Sequence, residues 1–207
     1  MMNKFPINKL PYFMEWGSRK WQEFMKIAID QFIGRDLSGM KVMDFGSRSG
    51  KMACFFALLG AEVIAVDIVD GFCERVKLEA QRWHVAERVH PIKFDGKNFN
   101  FLPKESIDII FTKSVLVVVP DLESVLKNFN SLLKKNGKFV FLENGKGPFI
   151  FSFLRRLHHR KWNFSKANYF TDEHIKKIEK VFGGSIFVKK SFFPPIYLVM
   201  GEKKPDA

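Results

Sequence analysis

The chain predicts an α/β fold: a seven-stranded sheet, mostly parallel with an antiparallel last strand, and helices on both faces. Three observations lead there. Short β-rich runs alternate with stretches of helical periodicity from residue 18 to residue 143. Such alternation favours parallel strands, whose faces the intervening helices cover. The last two apolar runs, in SIFVKKSFFPPIYLVMGEK, are joined around Pro194-Pro195, too tightly for a parallel crossover, so they must pair antiparallel.

Each element follows from local pattern. Trp21, Phe24, Met25, Ile27 and Phe32 fall at helical spacing and place a helix over 18–33. Leu37-Ser-Gly turns the chain into a first strand at 41–45, and a helix at 49–59 ends at Gly60. A second strand covers 62–66, a helix 71–84, and a third strand 89–94 runs into Asp95-Gly96. The fourth strand is 107–112. Pro120-Asp121 then opens a helix through Leu133, and Asn136-Gly137 turns into a fifth strand at 138–143. Residues 148–162 read as helical. So do 172–182, with Thr171 or Asp172 as N-cap and Gly183-Gly184 as the stop.

A chain of 207 residues, 46% hydrophobic, can bury a full core as a single domain, 1–207. Four parts are expected within it: an N-terminal helical cap (1–37), a core (38–143), an insert or lid (144–171), and a closing helix with hairpin (172–207). Cys54 and Cys73 both fall in helices, form no CxxC pair, and read as small buried apolar groups. No signal-peptide h-region precedes residue 14, and Glu62, Asp67 and Pro120 interrupt the longest apolar runs, so a cytoplasmic location is expected. The net charge of +12 is uneven. Residues 1–143 carry 21 Lys/Arg against 17 Asp/Glu, whereas 144–207 carry 13 against 5. That imbalance reads either as a solvated surface or as a part that meets something anionic.

The chemistry concentrates in KVMDFGSRSGKMACFFALLGAEVIAVDIVDG, residues 41–71. A strand ending at Asp44, a turn from Gly46 to Gly50, a helix, and a second strand closed by Asp67 suit a nucleoside ligand. Backbone amides face it on one side and a carboxylate meets ribose hydroxyls on the other. The dinucleotide fingerprint GxGxxG is not met, because Gly46 and Gly50 are four apart and no third glycine follows. Asp44-Phe-Gly-Ser-Arg-Ser-Gly50 instead resembles motif I of the class I S-adenosylmethionine-dependent methyltransferases, D-h-G-x-G-x-G. Asp67, Phe94-Asp95-Gly96 and the stretch IDIIFTKSVLVVVPDLESVLKNFNSLLKKNGKFVFLE resemble further motifs of that family, in order and spacing over 38–143. The chain looks most similar to the small-molecule branch that includes quinone-biosynthesis enzymes, methyltransferase domain type 11. The resemblance implies a Rossmann-like fold with S-adenosyl-L-methionine as cofactor. It would be held by Asp44, Gly46, Ser47, Arg48, Gly50, Asp67, Ile68, Asp95, Gly96 and Lys113. Arg48 departs from the pattern by standing where the family's middle glycine would be.

Methyl transfer from a sulfonium requires alignment and exclusion of water, with a base useful for a hydroxyl acceptor. Thr112-Lys113-Ser114-Val115 replaces the Asn/Asp-Pro-Pro-aromatic stretch of amino-group nucleobase enzymes. No cysteine stands where a pyrimidine nucleophile is needed, and Lys113 would oppose a divalent metal, so no metal is expected. The acceptor is expected to be a small molecule methylated at oxygen, anionic or lipid-like; the alternatives are an RNA methyltransferase using the basic C-terminal part, or a non-catalytic binding subunit with the cofactor fold. Trp16, Glu143, Asn144 and Tyr169 are placed on its side, and His158 or His159 is the expected base. Residues 148–162 carry Phe149, Ile150, Phe153, Leu154 and Leu157 on one helical face and Arg155, Arg156, His159 and Arg160 on the other. Three readings stay open for that stretch: a lid, an interfacial helix touching membrane, or an RNA-binding face.

Overall fold

A computed structural model describes residues 9–15, 19–147 and 168–204. Its elements, in chain order, are α1 (Leu10–Phe13), α2 (Arg19–Ala28) with a π-helical turn at Ile29–Ile33, β1 (Lys41–Phe45), α3 (Lys51–Leu58) and β2 (Glu62–Asp67). Then follow α4 (Phe72–Arg82), β3 (Val89–Lys93), β4 (Ile107–Lys113), α5 (Leu122–Leu132), β5 (Leu133–Asn144), α6 (Asp172–Phe182), β6 (Ile186–Ser191) and β7 (Ile196–Glu202).

The seven strands form one sheet in the order β3-β2-β1-β4-β5-β7-β6. The first five are parallel, and β7 runs antiparallel to both β5 and β6. Successive residues of β1 face opposite sides of the sheet, so its near-continuous apolar run feeds two cores. On one side Val42, Phe111 and Leu142 pack beneath Trp21, Phe24, Phe55 and Phe56 of α2 and α3. On the other Met43, Ile110, Phe139 and Phe141 meet Phe129 of α5 and Ile178 and Phe182 of α6.

Two local details depart from simple pattern. The helix expected over 18–33 is α2 plus a π turn that Gly34, at φ 95°, terminates. Asn136-Gly137 does not precede the fifth strand but lies inside it. The pairing jumps from Ile107↔Leu133 to Ile109↔Lys138, and the intervening residues bulge out with Asn136 at φ 59°.

Strand order positions the site. β1 has β2 on one side and β4 on the other, so the connections diverge there and leave a crevice at the carboxyl ends of the strands. Asp44 pairs in register with Ala65 and Phe111, and Phe45 with Val66 and Thr112. Asp44, Asp67 and Lys113 therefore emerge at the same end of the sheet as Asn144 of β5.

Candidate active site

The turn after β1 is tied to the end of β2 by a continuous set of backbone bonds. The amides of Gly46 and Ser47 both donate to the Val66 carbonyl, at 2.8 and 3.0 Å. The next amide, of Arg48, donates to Asp67 Oδ2 at 2.8 Å, while Val69 N–H donates to Asp67 Oδ1 at 3.0 Å. Asp67 is 9% exposed, and two amides fix its carboxylate plane at the strand end. Arg48 adopts φ 54° to make this bond, a left-handed conformation that costs a non-glycine residue about 1 kcal/mol. Its side chain is exposed.

The two glycines of the turn are required by their neighbours. A Cβ on Gly46 would lie 1.9 Å from Val115 Cγ2, and one on Gly50 would lie 2.9 Å from Val76 Cγ2. Both glycines have φ near 80°: 83° and 79°. Gly46 lets the loop after β4 approach the turn. Gly50, directly before α3, lets that helix sit against α4.

Behind the turn, Asp44 is buried, and its Oδ2 and the Ser47 hydroxyl have no hydrogen-bond partner. Burial pushes the Asp44 carboxyl up to about 7, with Ser47 working against the rise and the Asp67 charge adding to it. On the same face of the sheet, Lys113 is lowered to about 7. Burial is the cause, opposed by the nearby Glu15 and Asp44 carboxylates. Its Nζ lies 5.6 Å from the centre of the Trp21 ring. Glu143, on the opposite face, is fully buried. Its Oε1 accepts from Thr112 Oγ1 at 2.8 Å and from Val115 N–H at 3.3 Å, and its Oε2 has no partner. Burial raises this carboxyl too, to about 7. Three ionisable groups shifted toward neutrality at one end of the sheet, Asp44 and Lys113 on one face and Glu143 on the other, mark that end as a place for proton or charge chemistry.

The rim comes from loops. Asn144 Nδ2 donates to Ser114 Oγ at 2.8 Å, and Ser114 itself has φ 57°. Asn168 N–H donates to the Val117 carbonyl at 2.7 Å, and Phe170 N–H to that of Asn144 at 3.0 Å. Tyr169, half-buried between them, is thereby held beside the loop after β4. Asp95, after β3, is exposed and accepts from the amides of Lys97 and Asn98, each at 2.8 Å, and from Asn98 Nδ2 at 2.7 Å. These donors hold its carboxyl below the usual range.

Comparison with known proteins agrees with this geometry. Residues 43–141 match the family model described as "Methyltransferase domain". Over that stretch, just under half of the chain, the core is similar to a methyltransferase domain. A solved S-adenosylmethionine-dependent methyltransferase of Aquifex aeolicus superposes with a TM-score of 0.67 at 15% identity, covering 97% of this chain and 100% of that one. Among curated proteins, an S-adenosyl-L-methionine-dependent Diels-Alderase of Talaromyces variabilis is 28% identical over 54% of this chain and 38% of its own length. A ubiquinone biosynthesis O-methyltransferase of Bradyrhizobium diazoefficiens is 31% identical over 50% of this chain and 40% of its own. The chain thus spans about two-fifths of the length of the curated relatives it matches.

Within this core, the expected cofactor residues gather at one end of the sheet. Asp44, Gly46, Ser47, Arg48 and Gly50 form one turn. Asp67 and Ile68 close β2, Asp95 and Gly96 follow β3, and Lys113 ends β4. Ile68 is 61% exposed, an apolar surface beside the carboxylate that would meet a ribose. The residues suit S-adenosylmethionine: the partnerless Asp44 Oδ2 is an acceptor fit for a ligand ammonium, and Asp67 keeps lone pairs for a diol. Trp16, His158, His159 and the stretch 148–162 lie outside the described residues.

Two of the described imidazoles, His174 and His90, do other work. His174 Nδ1 accepts from the Thr171 N–H at 3.1 Å, so the ring caps α6; burial lowers it. His90 pairs with Glu62 at 2.9 Å, toward the opposite end of the sheet. Cys54 is buried and its thiol is pushed up to about 12, which removes it as a nucleophile. Among the described residues no group of three or more His, Cys, Asp or Glu is placed to hold a metal ion. Sequence reasoning missed Glu15, whose Oε2 accepts from Ser49 Oγ at 3.0 Å and brings the N-terminal segment onto the turn. No periodic signal links residues 15 and 49. Only the docking of α1 through Tyr12, whose hydroxyl donates to Glu79 at 2.6 Å, explains the contact.

Proposed function

We propose that this chain transfers the methyl group of S-adenosylmethionine to a small-molecule oxygen acceptor at the carboxyl ends of β4 and β5. The observation that carries the reading is the pair Asp44 and Asp67 on either side of one glycine turn. One is buried with an unmet acceptor oxygen, and the other is fixed by two amides. Asp67 would take the ribose hydroxyls and Asp44 the amino group of the methionine end. Ile68 would lie against the base, and Asp95 and Gly96 would border it. The cofactor, when bound, supplies an electrophilic methyl carbon on a sulfonium.

The chain's own residues then align the acceptor and handle its proton. Asn144, Tyr169 and the loop held by Glu143 would border the acceptor, and the buried strand ends exclude water. Sequence placed Lys113 on the cofactor side. Its near-neutral amine also suits acceptance, at Nζ, of the proton of an acidic hydroxyl as the carbon–oxygen bond forms. Either role uses the same position between β1 and β5. An anionic or lipid-like acceptor is supported by the basic balance of residues 144–207.

Incubation with S-adenosylmethionine and a panel of phenols, catechols and long-chain hydroxy compounds tests the proposal by mass spectrometry. Production of S-adenosylhomocysteine together with an acceptor one methyl heavier is expected. Cofactor binding without S-adenosylhomocysteine across the panel would favour a non-methylating use of the site, the kind of chemistry named for the Talaromyces relative.

A further inference from the structure

The turn joining β6 to β7 exposes two consecutive aromatic rings. Phe192 is 79% exposed and Phe193 is 73% exposed, the two most exposed large apolar side chains among the described residues. Hairpin connections ordinarily carry glycine, asparagine or aspartate, because turn geometry and solvation favour them. At these exposures most of the apolar surface of both rings faces solvent.

The base of the turn is firmly held. Pro195 and Ile196 are buried, Gly145 N–H donates to the Pro195 carbonyl at 2.9 Å, and Ser191 Oγ donates to the Phe193 carbonyl at 3.2 Å. Because Asn144 pairs with Ile196, this tip stands at the same end of the sheet as the site.

The surroundings are basic. Lys189 and Lys190 lead into the tip, and exposed Lys146 follows β5 beside it. Lys190 pairs with Asp172, and Lys189 lies 5.9 Å from the Phe24 ring with its charge acting on Glu23, so exposed Lys146 carries the positive charge beside the tip that no described salt bridge engages. From Lys180 to Gly201 the sequence contains no acidic residue. Gly145 and Phe170 form a bridged pair next to the tip, and in the sequence residues 144–171 carry six Lys/Arg and no Asp/Glu. Exposed aromatic rings within a positive field match the interface of an anionic bilayer, where rings enter the headgroup level and lysines meet lipid charge. No helix among the described residues is long and apolar enough to cross a membrane, so contact would be peripheral.

We propose that Phe192 and Phe193, with Lys146, form a docking tip for anionic membrane surfaces. The tip sets the mouth of the site toward the lipid. It rests on its own observations and does not depend on methyl transfer.

Flotation with phosphatidylcholine vesicles, with and without phosphatidylglycerol, tests the tip, using the wild type and the double variant Phe192→Ser/Phe193→Ser. S-adenosylhomocysteine affinity and thermal midpoint are measured on the same preparations. The wild type is expected to float with phosphatidylglycerol vesicles and about tenfold less with neutral ones; the double variant loses about tenfold while its cofactor affinity and midpoint hold. Absence of flotation with anionic vesicles overturns the proposal. So does undiminished flotation of the double variant, which would assign binding to basic charge alone. Concentration-dependent self-association of the wild type, without vesicle binding, would overturn it in favour of a second copy as the occupant.

Discussion

The Arg48 amide donates to Asp67 Oδ2 at 2.8 Å, joining the non-glycine residue of the turn to the carboxylate at the end of the next strand. Arginine is tolerated at φ 54° because this charge-assisted bond offsets the left-handed strain. The relation makes Arg48 an anchor through its backbone, whatever its side chain does.

Replacing Arg48 with glycine keeps the amide and removes the strain. The larger entropy of an unfolded glycine offsets part of the gain, leaving about 0.5 kcal/mol of added stability, or one to two degrees in thermal midpoint. Differential scanning calorimetry of Arg48→Gly checks this. A lower midpoint would mean that the arginine side chain itself holds the turn.

Gly46→Ala and Gly50→Ala are expected to behave differently from that variant. A methyl 1.9 Å from Val115 cannot be accommodated without moving the loop after β4, and the φ of 83° adds strain. Gly46→Ala should therefore cost about 3 kcal/mol. Gly50→Ala, pressing on Val76, should cost about 2 kcal/mol by the same two effects. Urea denaturation of both variants gives the values, with Gly46→Ala expected to be the less stable.

Stability should pass through a shallow minimum near pH 7. Asp44 and Glu143 are raised to about 7 by burial, so the folded chain keeps protons that the unfolded chain releases from about pH 4 upward. Their contribution falls as pH rises from about 4 to 7. Lys113 is lowered to about 7, so above that pH the unfolded chain holds the extra proton and stability rises again toward about pH 10. Urea midpoints across this range test the shape. Glu143→Gln, which retains an acceptor for Thr112, should flatten the acid limb by on the order of 1 kcal/mol. A limb unchanged in Glu143→Gln would place the titration elsewhere.

Most of the sheet was legible because hydrophobic period and glycine punctuation are local. The boundaries of β1, β2 and β4 follow from apolar runs that end at Asp44-Phe45, Asp67 and Lys113. The antiparallel ending followed from the short link at Pro194-Pro195. The bulge at Asn136-Gly137 was harder to read, because a turn dipeptide looks the same before a strand as within one. The placing of Asp44 and Asp67 on either side of one glycine turn was legible from motif spacing. The Glu15–Ser49 contact and the position of Trp21 over Lys113 were not, since they arise where separately coded segments meet in space. His174 illustrates the converse. An imidazole is chemically eligible as a base from sequence, yet its position three residues after Thr171 makes it a helix cap.

Calorimetric titration of the wild type and Asp67→Ala with S-adenosylhomocysteine tests the central claim most directly. One-to-one binding to the wild type is expected, with a loss of about a hundredfold or more in Asp67→Ala, which removes the diol acceptor and frees the Arg48 and Val69 amides. No binding to the wild type, or equal binding to both proteins, would contradict it.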